Sequence, residues 1–423
     1  MLDINIIREN PELVRDSLRK RNTDPAPVDE AITLDRKRRE ILVEVEALKA
    51  ERNAGSKQIG RTKDPEERKK RIADMKQVSD KIKALDEELR TVEEALNDLM
   101  ATLPNLVDDR TPVGKDESEN VIIRTEGEIP TFDFTPKPHW DLGPELGIID
   151  FERGVKITGS RFYVLTGAGA RLQRALIAYM LDLHIQQGYT EQYTPFMVRT
   201  ATVYGAGQLP KFVDNLYKDH EEDLYMVPTA EVPLTGMYMD EIIPQENLPL
   251  MFTGYTPCFR REKMSAGRDV RGIKRGHQFD KVEMYIYCLP EDSDAMLEKM
   301  LADAEAVCKG LGLTYRLNQL CTGDLGFGAR ITYDIEVWAP GCEEWLEVSS
   351  VSNVGDFQAR RANIRYRPEE GGKVQMLNTL NGSGLGLPRT LIAIMENYQQ
   401  PDGSIIVPEV LRPWMGGMEV IYP

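Results

Sequence analysis

Apolar residues recur along this chain with two different periods, and the change of period divides it. Between 75 and 99 they fall at Met75, Val78, Ile82, Leu85, Leu89, Val92, Leu96 and Leu99, in alternating steps of three and four. That is a heptad seam, the pattern of a helix packed against a partner helix. Leu34, Ile41, Val45 and Leu48 form a similar stripe upstream. Gly55, Gly60 and Thr62-Lys63-Asp64-Pro65 punctuate the stretch between them and suit a turn. The pattern predicts two long helices folded back as an antiparallel coiled coil over 1–103, with its tip at about 60–67. Helices of ~30 residues would extend ~45 Å at 1.5 Å per residue.

A segment at 104–140 holds Pro104, Pro112, Pro130, Pro136 and Pro138 among acidic residues and reads as a linker. From 141 to 423 the pattern is mixed. A helix is predicted over 168–187, with Leu172, Leu176, Met180 and Leu183 on one face, leading through Gly188-Tyr189 into a strand ending near Pro195. Further strands are predicted at 250–262, 278–289, 331–338 and 345–351, and helices at 292–311 and 389–399. Strands joined without regular helical crossovers favour an α+β fold with an antiparallel sheet over a doubly wound parallel one.

Composition narrows the class. The 423 residues are 41% hydrophobic and 29% charged, with a mean hydropathy of -0.41, ordinary for a globular protein of two or three domains. No apolar run approaches the roughly 20 residues of a membrane helix, and Met1-Leu2-Asp3-Ile4-Asn5 does not start a secretory signal. Cys258, Cys288, Cys308, Cys321 and Cys342 are odd in number and form no C-x-x-C, which points to free thiols in a reducing cytoplasm. Four scattered histidines argue against zinc.

Charge is unevenly placed. The net of -16 argues against nonspecific nucleic-acid binding by the whole surface. Residues 49–83 nevertheless carry 12 Lys/Arg against 6 Asp/Glu, a basic island at the helical tip. Taken alone, this region reads first as a dimerisation coil with solvated charges and second as a finger that touches phosphates.

Candidate chemistry clusters in four places. In Cys258-Phe259-Arg260-Arg261-Glu262, strand alternation puts Arg260 and Glu262 on one face and Phe259 and Arg261 on the other. In His277-Gln278-Phe279-Asp280-Lys281-Val282-Glu283-Met284, Val282 and Met284 read as core, while Phe279, Lys281 and Glu283 face the other way. An Arg–Glu pair of this kind can be a structural salt bridge, but several such groups on adjacent strands suit a nucleotide and a zwitterion. The connecting loop, 263–276, carries Arg268, Arg271, Lys274 and Arg275 between Gly267, Gly272 and Gly276. It suits a polyanion clamp or a solvated hairpin tip. Third, Asn381-Gly382-Ser383-Gly384-Leu385-Gly386 reads as a glycine-rich turn that delivers Arg389 to a helix start, where the dipole favours anions. Its spacing is not G-x-G-x-x-G, and no P-loop, G-x-S-x-G or H-E-x-x-H occurs. Fourth, Thr229-Ala230-Glu231 offers a carboxylate, and Glu347-Val348-Ser349-Ser350 offers hard oxygens suited to a magnesium–phosphate complex. Alternation places Glu347 and Ser350 on opposite strand faces, so a shared cation requires a bulge or a strand end.

In combination these segments resemble the seryl-tRNA synthetases of bacterial type, a class II aminoacyl-tRNA synthetase family. The resemblance spans the chain: Pro195 closes the first class II signature, Phe259 to Glu262 with Phe279 form the second, and the glycine segment ending at Arg389 the third. Val227-Pro228-Thr229-Ala230-Glu231 and Asp356-Phe357-Gln358-Ala359-Arg360-Arg361 match the seryl branch. Pro388 and Val351 stand where glycine and cysteine are common.

The resemblance implies a six-stranded antiparallel sheet flanked by helices, a homodimer, and an arm that grips the long variable arm of serine tRNA. It implies ATP-dependent activation of L-serine to seryl-adenylate, then transfer to the 3′-terminal adenosine of serine tRNA and of selenocysteine tRNA. Carried over, Arg260 and Arg389 are catalytic, and Thr229, Ala230, Glu231, Arg260, Glu283 and Ser383 bind serine. Arg260, Arg261, Glu262, Gly276, Phe279, Glu347, Val348, Ser349, Ser350 and Arg389 bind ATP, with Glu347 and Ser350 on Mg2+. Two other readings compete: a carrier-protein aminoacylating homologue, which would lack the arm, and a coiled-coil structural protein with an inert head.

Overall fold

The computed structural model describes residues 1–263, 271–368 and 372–423; Gly267 and Arg268 of the basic loop lie outside the described residues. The chain forms two compact units, Leu2–Pro104, and Asn105–Pro423 together with Met1.

The first unit is helical: α1 (Ile4–Glu9), α2 (Pro11–Lys20), α3 (Pro27–Arg61) and α4 (Pro65–Thr102). The 35 and 38 residues of α3 and α4 extend ~52 and ~57 Å at 1.5 Å per residue. Both are longer than predicted, α3 because Gly55 and Gly60 stay helical. A Cβ on Gly55 would lie 2.2 Å from Met75 Sδ, so this glycine marks a close helix contact, not a break. The turn is Thr62-Lys63-Asp64. Asp64 caps α4 by accepting from the Glu67 amide at 2.8 Å, and Pro65 takes the first helical position, where its missing N–H costs nothing. The seam packs as predicted: Ile41, Val45 and Val92 are buried with Leu34, Leu85 and Leu89 against them. Lys37–Glu88, Arg38–Glu93 and Lys49–Asp86 bridge the two helices at 2.7–3.2 Å.

The second unit is built on one mixed sheet. Its strands are β1 (Val121–Glu126), β2 (Thr190–Glu191), β3 (Leu250–Phe259), β4 (Gln278–Cys288), β5 (Tyr315–Gln319), β6 (Ile331–Ala339), β7 (Glu344–Gly355) and β8 (Asn378–Gly386). The order is β1-β5-β6-β7-β8-β4-β3-β2. The six central strands are antiparallel, as expected; β1 extends one edge antiparallel and β2 the other edge parallel. The helices that position the site are α5 (Ala168–Gln186), α6 (Glu231–Gly236), α7 (Ser293–Gly310), α8 (Phe357–Ala362) and α9 (Leu387–Asn397).

Three predicted features come out differently. The segment 104–140 is no free linker: it contributes β1, and the Asn105 amide donates to the Phe327 carbonyl at 3.0 Å. The strand predicted to reach 262 stops at Phe259, and Glu262 takes a left-handed φ of 50°. The glycine-rich turn is the central strand β8. Gly382 pairs with Val351 on one side and Met284 on the other. A Cβ on Gly382 would meet Met300 Sδ of α7 at 2.9 Å, and one on Gly384 would meet His184 Nε2 of α5 at 2.1 Å. These glycines let helices lie directly on the strand.

One sheet face is core. Val282, Met284 and Ile286 of β4 join Ile335 and Val337 of β6 under α5, α7 and α9. The other face is divided. Tyr285 and Tyr287 are covered by Ala230, which precedes α6, Leu234 in α6, and Ala359 and Ala362 in α8. Only the first half of β4, with Phe279, Lys281 and Glu283, faces an open cleft. No described helix is long and apolar enough to cross a membrane.

Candidate active site

The cleft has three connected lobes, of about 300, 710 and 310 Å³. All three are lined by Arg260, the first residue past β3. The Arg260 amide donates to the His277 carbonyl, and His277 Nδ1–H returns a bond to the Arg260 carbonyl, both at 2.9 Å. The β3–β4 ladder is thereby prolonged by one residue, which fixes where the side chain starts. Arg260 Nε donates to the Pro228 carbonyl at 3.1 Å, and the guanidinium carbon lies 5.0 Å from the Phe279 ring centre, in cation–π range.

The middle lobe gathers Glu231, Glu262, Gly276, Phe279, Glu283 and Ser383, with Val348, Ser350 and Arg389 at its wall. Ser383 stands opposite Glu283 in the β8–β4 register. Thr229 Oγ1 donates to Glu283 Oε2 at 3.2 Å, and Lys281 Nζ makes an ion pair with the same oxygen. Glu231 accepts from the side-chain amides of Gln358 at 2.6 Å and Asn381 at 3.2 Å. Burial, and then the neighbouring Glu283, push the Glu231 carboxyl up to about 7.

The largest lobe carries the oxygen donors. Across β6 and β7, Glu347 pairs with Glu336, Ser349 with Ile335 and Ser350 with Asp334, so Val348 is an extra residue in β7. This bulge brings Glu347 and Ser350 onto one face, which meets the condition for a shared cation. Asp334 joins them, with a buried Oδ1 that has no hydrogen-bond partner. Burial and Glu347 hold the Asp334 carboxyl well above the usual carboxylate range. Burial alone would raise Glu347 too, but Arg389, Arg260 and Arg275 outweigh it and leave that carboxyl lowered. Arg389, in the first turn of α9, donates to the Glu347 carbonyl at 2.8 Å and to its carboxylate at 2.9 Å. Two carboxylates, one of them with an unpaired buried oxygen, and a hydroxyl form a hard-oxygen donor set that suits Mg2+.

The described end of the basic loop is pinned from below. Gly272 has a φ of 72°, the Ile273 amide donates to His139 Nε2 at 3.1 Å, and His139 Nδ1–H donates to Glu396 of α9 at 2.9 Å. Cys342 also converges there, yet His139 already spends Nε2 as an acceptor and carries its proton on Nδ1, so neither nitrogen is free to hold a metal. The anchor presents Arg275 to the cleft, with Nη1 3.7 Å from Glu262 Oε2.

Not every sequence candidate lines the cleft. The Arg261 guanidinium lies 4.6 Å from the Tyr217 ring and its Nε donates to the Leu216 carbonyl at 2.8 Å, facing away. Ser349 donates to the Ser383 carbonyl at 2.6 Å and ties β7 to β8. Ala230 is fully buried under β4. Sequence reasoning assigned no site role to Lys281, Asp334, Gln358 or Asn381. Lys281, Gln358 and Asn381 lie within segments that the sequence pattern singles out; Asp334 emerges only from the β6–β7 register.

Comparisons with known proteins cover both units of the chain. Residues 1–107 match the seryl-tRNA synthetase N-terminal domain, and residues 213–398 match the tRNA synthetase class II core domain (G, H, P, S and T). The serine–tRNA ligase of Roseiflexus sp. (strain RS-1) is 64% identical over 421 residues, covering 100% of this chain and 99% of that protein. The crystal structure of seryl-tRNA synthetase from Pyrococcus horikoshii complexed with ATP is 40% identical, with a TM-score of 0.94 and 100% of both chains covered. The cytoplasmic serine–tRNA ligase of Naegleria fowleri in complex with AMP is 34% identical, with a TM-score of 0.88, covering 100% of this chain and 99% of that one. With both its helical unit and its catalytic core accounted for, the chain belongs to the serine–tRNA ligases, class II aminoacyl-tRNA synthetases.

Proposed function

We propose that the three-lobed cleft performs both steps of serine–tRNA ligation with the residues named above. The observation that carries this reading is the convergence of Arg260, Glu231, Glu283, Phe279, Ser383 and Arg389 on one lobe of about 300 Å³. In the first step a serine carboxylate oxygen attacks the ATP α-phosphorus, the bond to the bridging oxygen breaks, and pyrophosphate leaves. In the second, a ribose hydroxyl of the tRNA's terminal adenosine attacks the seryl carbonyl, and AMP leaves. No protein nucleophile is needed. Catalysis comes from positioning and from fixed positive charge where negative charge grows.

In this reading Arg260 neutralises the α-phosphate and the serine carboxylate, while Glu262 and Phe279 hold and stack the adenine. Arg389 covers the second adenine face and reaches the terminal phosphate. Thr229, Glu231 and Glu283 take the serine ammonium and hydroxyl groups beside Ser383. Glu347 and Ser350 would hold Mg2+, which supplies neutralising charge to the phosphates when bound, with Asp334 as a third oxygen donor. Gly276 and Val348 line the lobe proposed for ATP, whereas the side chains of Arg261 and Ser349 are engaged outside it.

The helical unit, Leu2–Pro104, would bind serine tRNA, and selenocysteine tRNA on the same terms, through its tip. Arg61, Lys63, Arg68, Lys69 and Lys70 are all exposed there. Such contacts give affinity and register more than base reading. A homodimer, which the family resemblance implies, is part of the same proposal. Five free cysteines fit a cytoplasmic setting. The match over residues 1–107 speaks against an armless carrier-protein homologue, and the assembled cleft against an inert head.

Arg260→Ala tests the assignment. Serine-dependent ATP–pyrophosphate exchange should fall by about 10³-fold or more, the scale of removing a preorganised charge from a reacting phosphate, with the melting temperature kept. Exchange near the unsubstituted rate would refute the role.

A further inference from the structure

The Asp356-Phe357-Gln358-Ala359-Arg360-Arg361 segment has no role in the two-step reaction, yet one of its side chains reaches the cleft. Gln358, on α8, is 2% exposed and makes four hydrogen bonds. Its Nε2 donates to the Ala206 carbonyl at 3.1 Å and to Glu231 Oε1 at 2.6 Å. Its Oε1 accepts from Tyr285 Oη at 2.9 Å and Thr379 Oγ1 at 2.7 Å. A carbonyl and a carboxylate can only accept, so the amide cannot be turned round; every donor and acceptor it has is used. A glutamine locked in this way locks the carboxylate it holds.

We propose that Gln358 is a positioning residue for serine recognition: its amide fixes the Glu231 carboxylate so that its second oxygen receives the substrate ammonium group. The inference rests on reading Glu231 as a serine ligand.

The charges around the pair support it. Two carboxylates face the serine lobe. Glu283, on β4, is matched by the ammonium of Lys281, two residues away on the same strand. Glu231 is held by two neutral amides, Gln358 and Asn381, both on Oε1. Among the described residues no group donates a hydrogen bond to its Oε2. Arg260, beyond β3, is the other cation facing Glu231, and its Nε is held by the Pro228 carbonyl. Neutral donors orient a carboxylate without cancelling its charge, so Glu231, once ionised, offers an incoming ammonium an uncompensated negative charge. Its position at about 7 fits a buried carboxylate beside another carboxylate and short of a counterion. Serine binding would supply that counterion, so serine affinity should rise as pH climbs through about 7 and Glu231 ionises.

Gln358→Glu keeps the shape and the acceptor for Tyr285 and Thr379 but sets a carboxylate against Glu231. At pH 7.5 the KM for serine in pyrophosphate exchange should rise by about 30-fold or more, since a charge-assisted hydrogen bond becomes a like-charge contact. The KM for ATP should stay within about threefold. Toward pH 6 the defect relative to the unsubstituted enzyme should shrink, because a proton shared by the two carboxyls restores a donor. Thr379→Val, nearly isosteric, loosens the amide without adding charge and should raise the serine KM by about three- to tenfold. It decides the matter alone if Gln358→Glu does not fold. Glu231→Gln separates the two layers. An unchanged serine KM there removes the premise that Glu231 binds serine. A raised serine KM there, with Gln358→Glu and Thr379→Val shifting both KM values together or neither, overturns the positioning role.

Discussion

The helical arm and the catalytic body are held together by different physics, and their functions tolerate error to different degrees. The α3–α4 pair buries only a thin line of side chains, Ile41, Val45 and Val92 with their neighbours, and the pairs that bridge it are half-exposed. Such ion pairs contribute little each. The body closes one continuous core on a face of its sheet and keeps the other face half open. An arm that meets phosphates with exposed charge, as proposed, would tolerate misplacement by an ångström at little loss. A cleft in which Gln358 holds Glu231 at 2.6 Å cannot.

The sharpest way to break this comparison is to separate the parts. With residues 33–99 replaced by a short flexible linker, serine-dependent pyrophosphate exchange should survive within about threefold, since every residue proposed to contact serine or ATP lies beyond 228. Charging of serine tRNA should fall by about 10³-fold, the scale of losing a full set of phosphate contacts. Loss of exchange as well would show that the body depends on the arm for more than tRNA.

A smaller perturbation probes how the arm works. Arg68, Lys69 and Lys70 are exposed at the tip. Changing all three to Gln should raise the KM for tRNA by about tenfold at 0.1 M salt and flatten its salt dependence by up to about three ion equivalents. Exchange without tRNA should not move. If tRNA KM stays constant, the tip is a solvated cap and the contact lies lower on the arm.

The same contrast governs what the sequence disclosed. A heptad seam is local and repetitive, so Met75 to Leu99 were legible one residue at a time. Face-sorting of Phe279, Lys281 and Glu283 worked because strand alternation is also local. The failures are non-local. The glycines of β8 looked like a turn because glycine weakens isolated strands; only contact with Met300 and His184 explains them. The bulge at Val348 needs the register against β6, and Gln358 needs α8 packed beside α6. Short β5 carries too few residues to display a period, and β1 hid in a proline-rich stretch that read as linker.

Two glycines bring the comparison to a single methyl group. At Gly55 an added Cβ would meet Met75 Sδ at 2.2 Å, and at Gly384 it would meet His184 Nε2 at 2.1 Å. The overlaps are nearly equal; the neighbours are not. Met75 is an unbranched side chain on a half-exposed helix face and can swing aside. His184 is fully buried, with Nδ1 held by Gln187 at 2.7 Å and Nε2 by the Gly384 carbonyl at 2.9 Å. Gly384→Ala should therefore cost about 2 kcal/mol or more, as overpacking a closed core does. Gly55→Ala gains up to about 1 kcal/mol of helix propensity against the displacement of one flexible side chain. Its net effect on unfolding should be smaller than about 1 kcal/mol in either direction. Chemical denaturation of the two variants measures both. Equal losses would mean that the α3–α4 contact is as rigid as the sheet core, and that the arm's looseness is not what sets it apart.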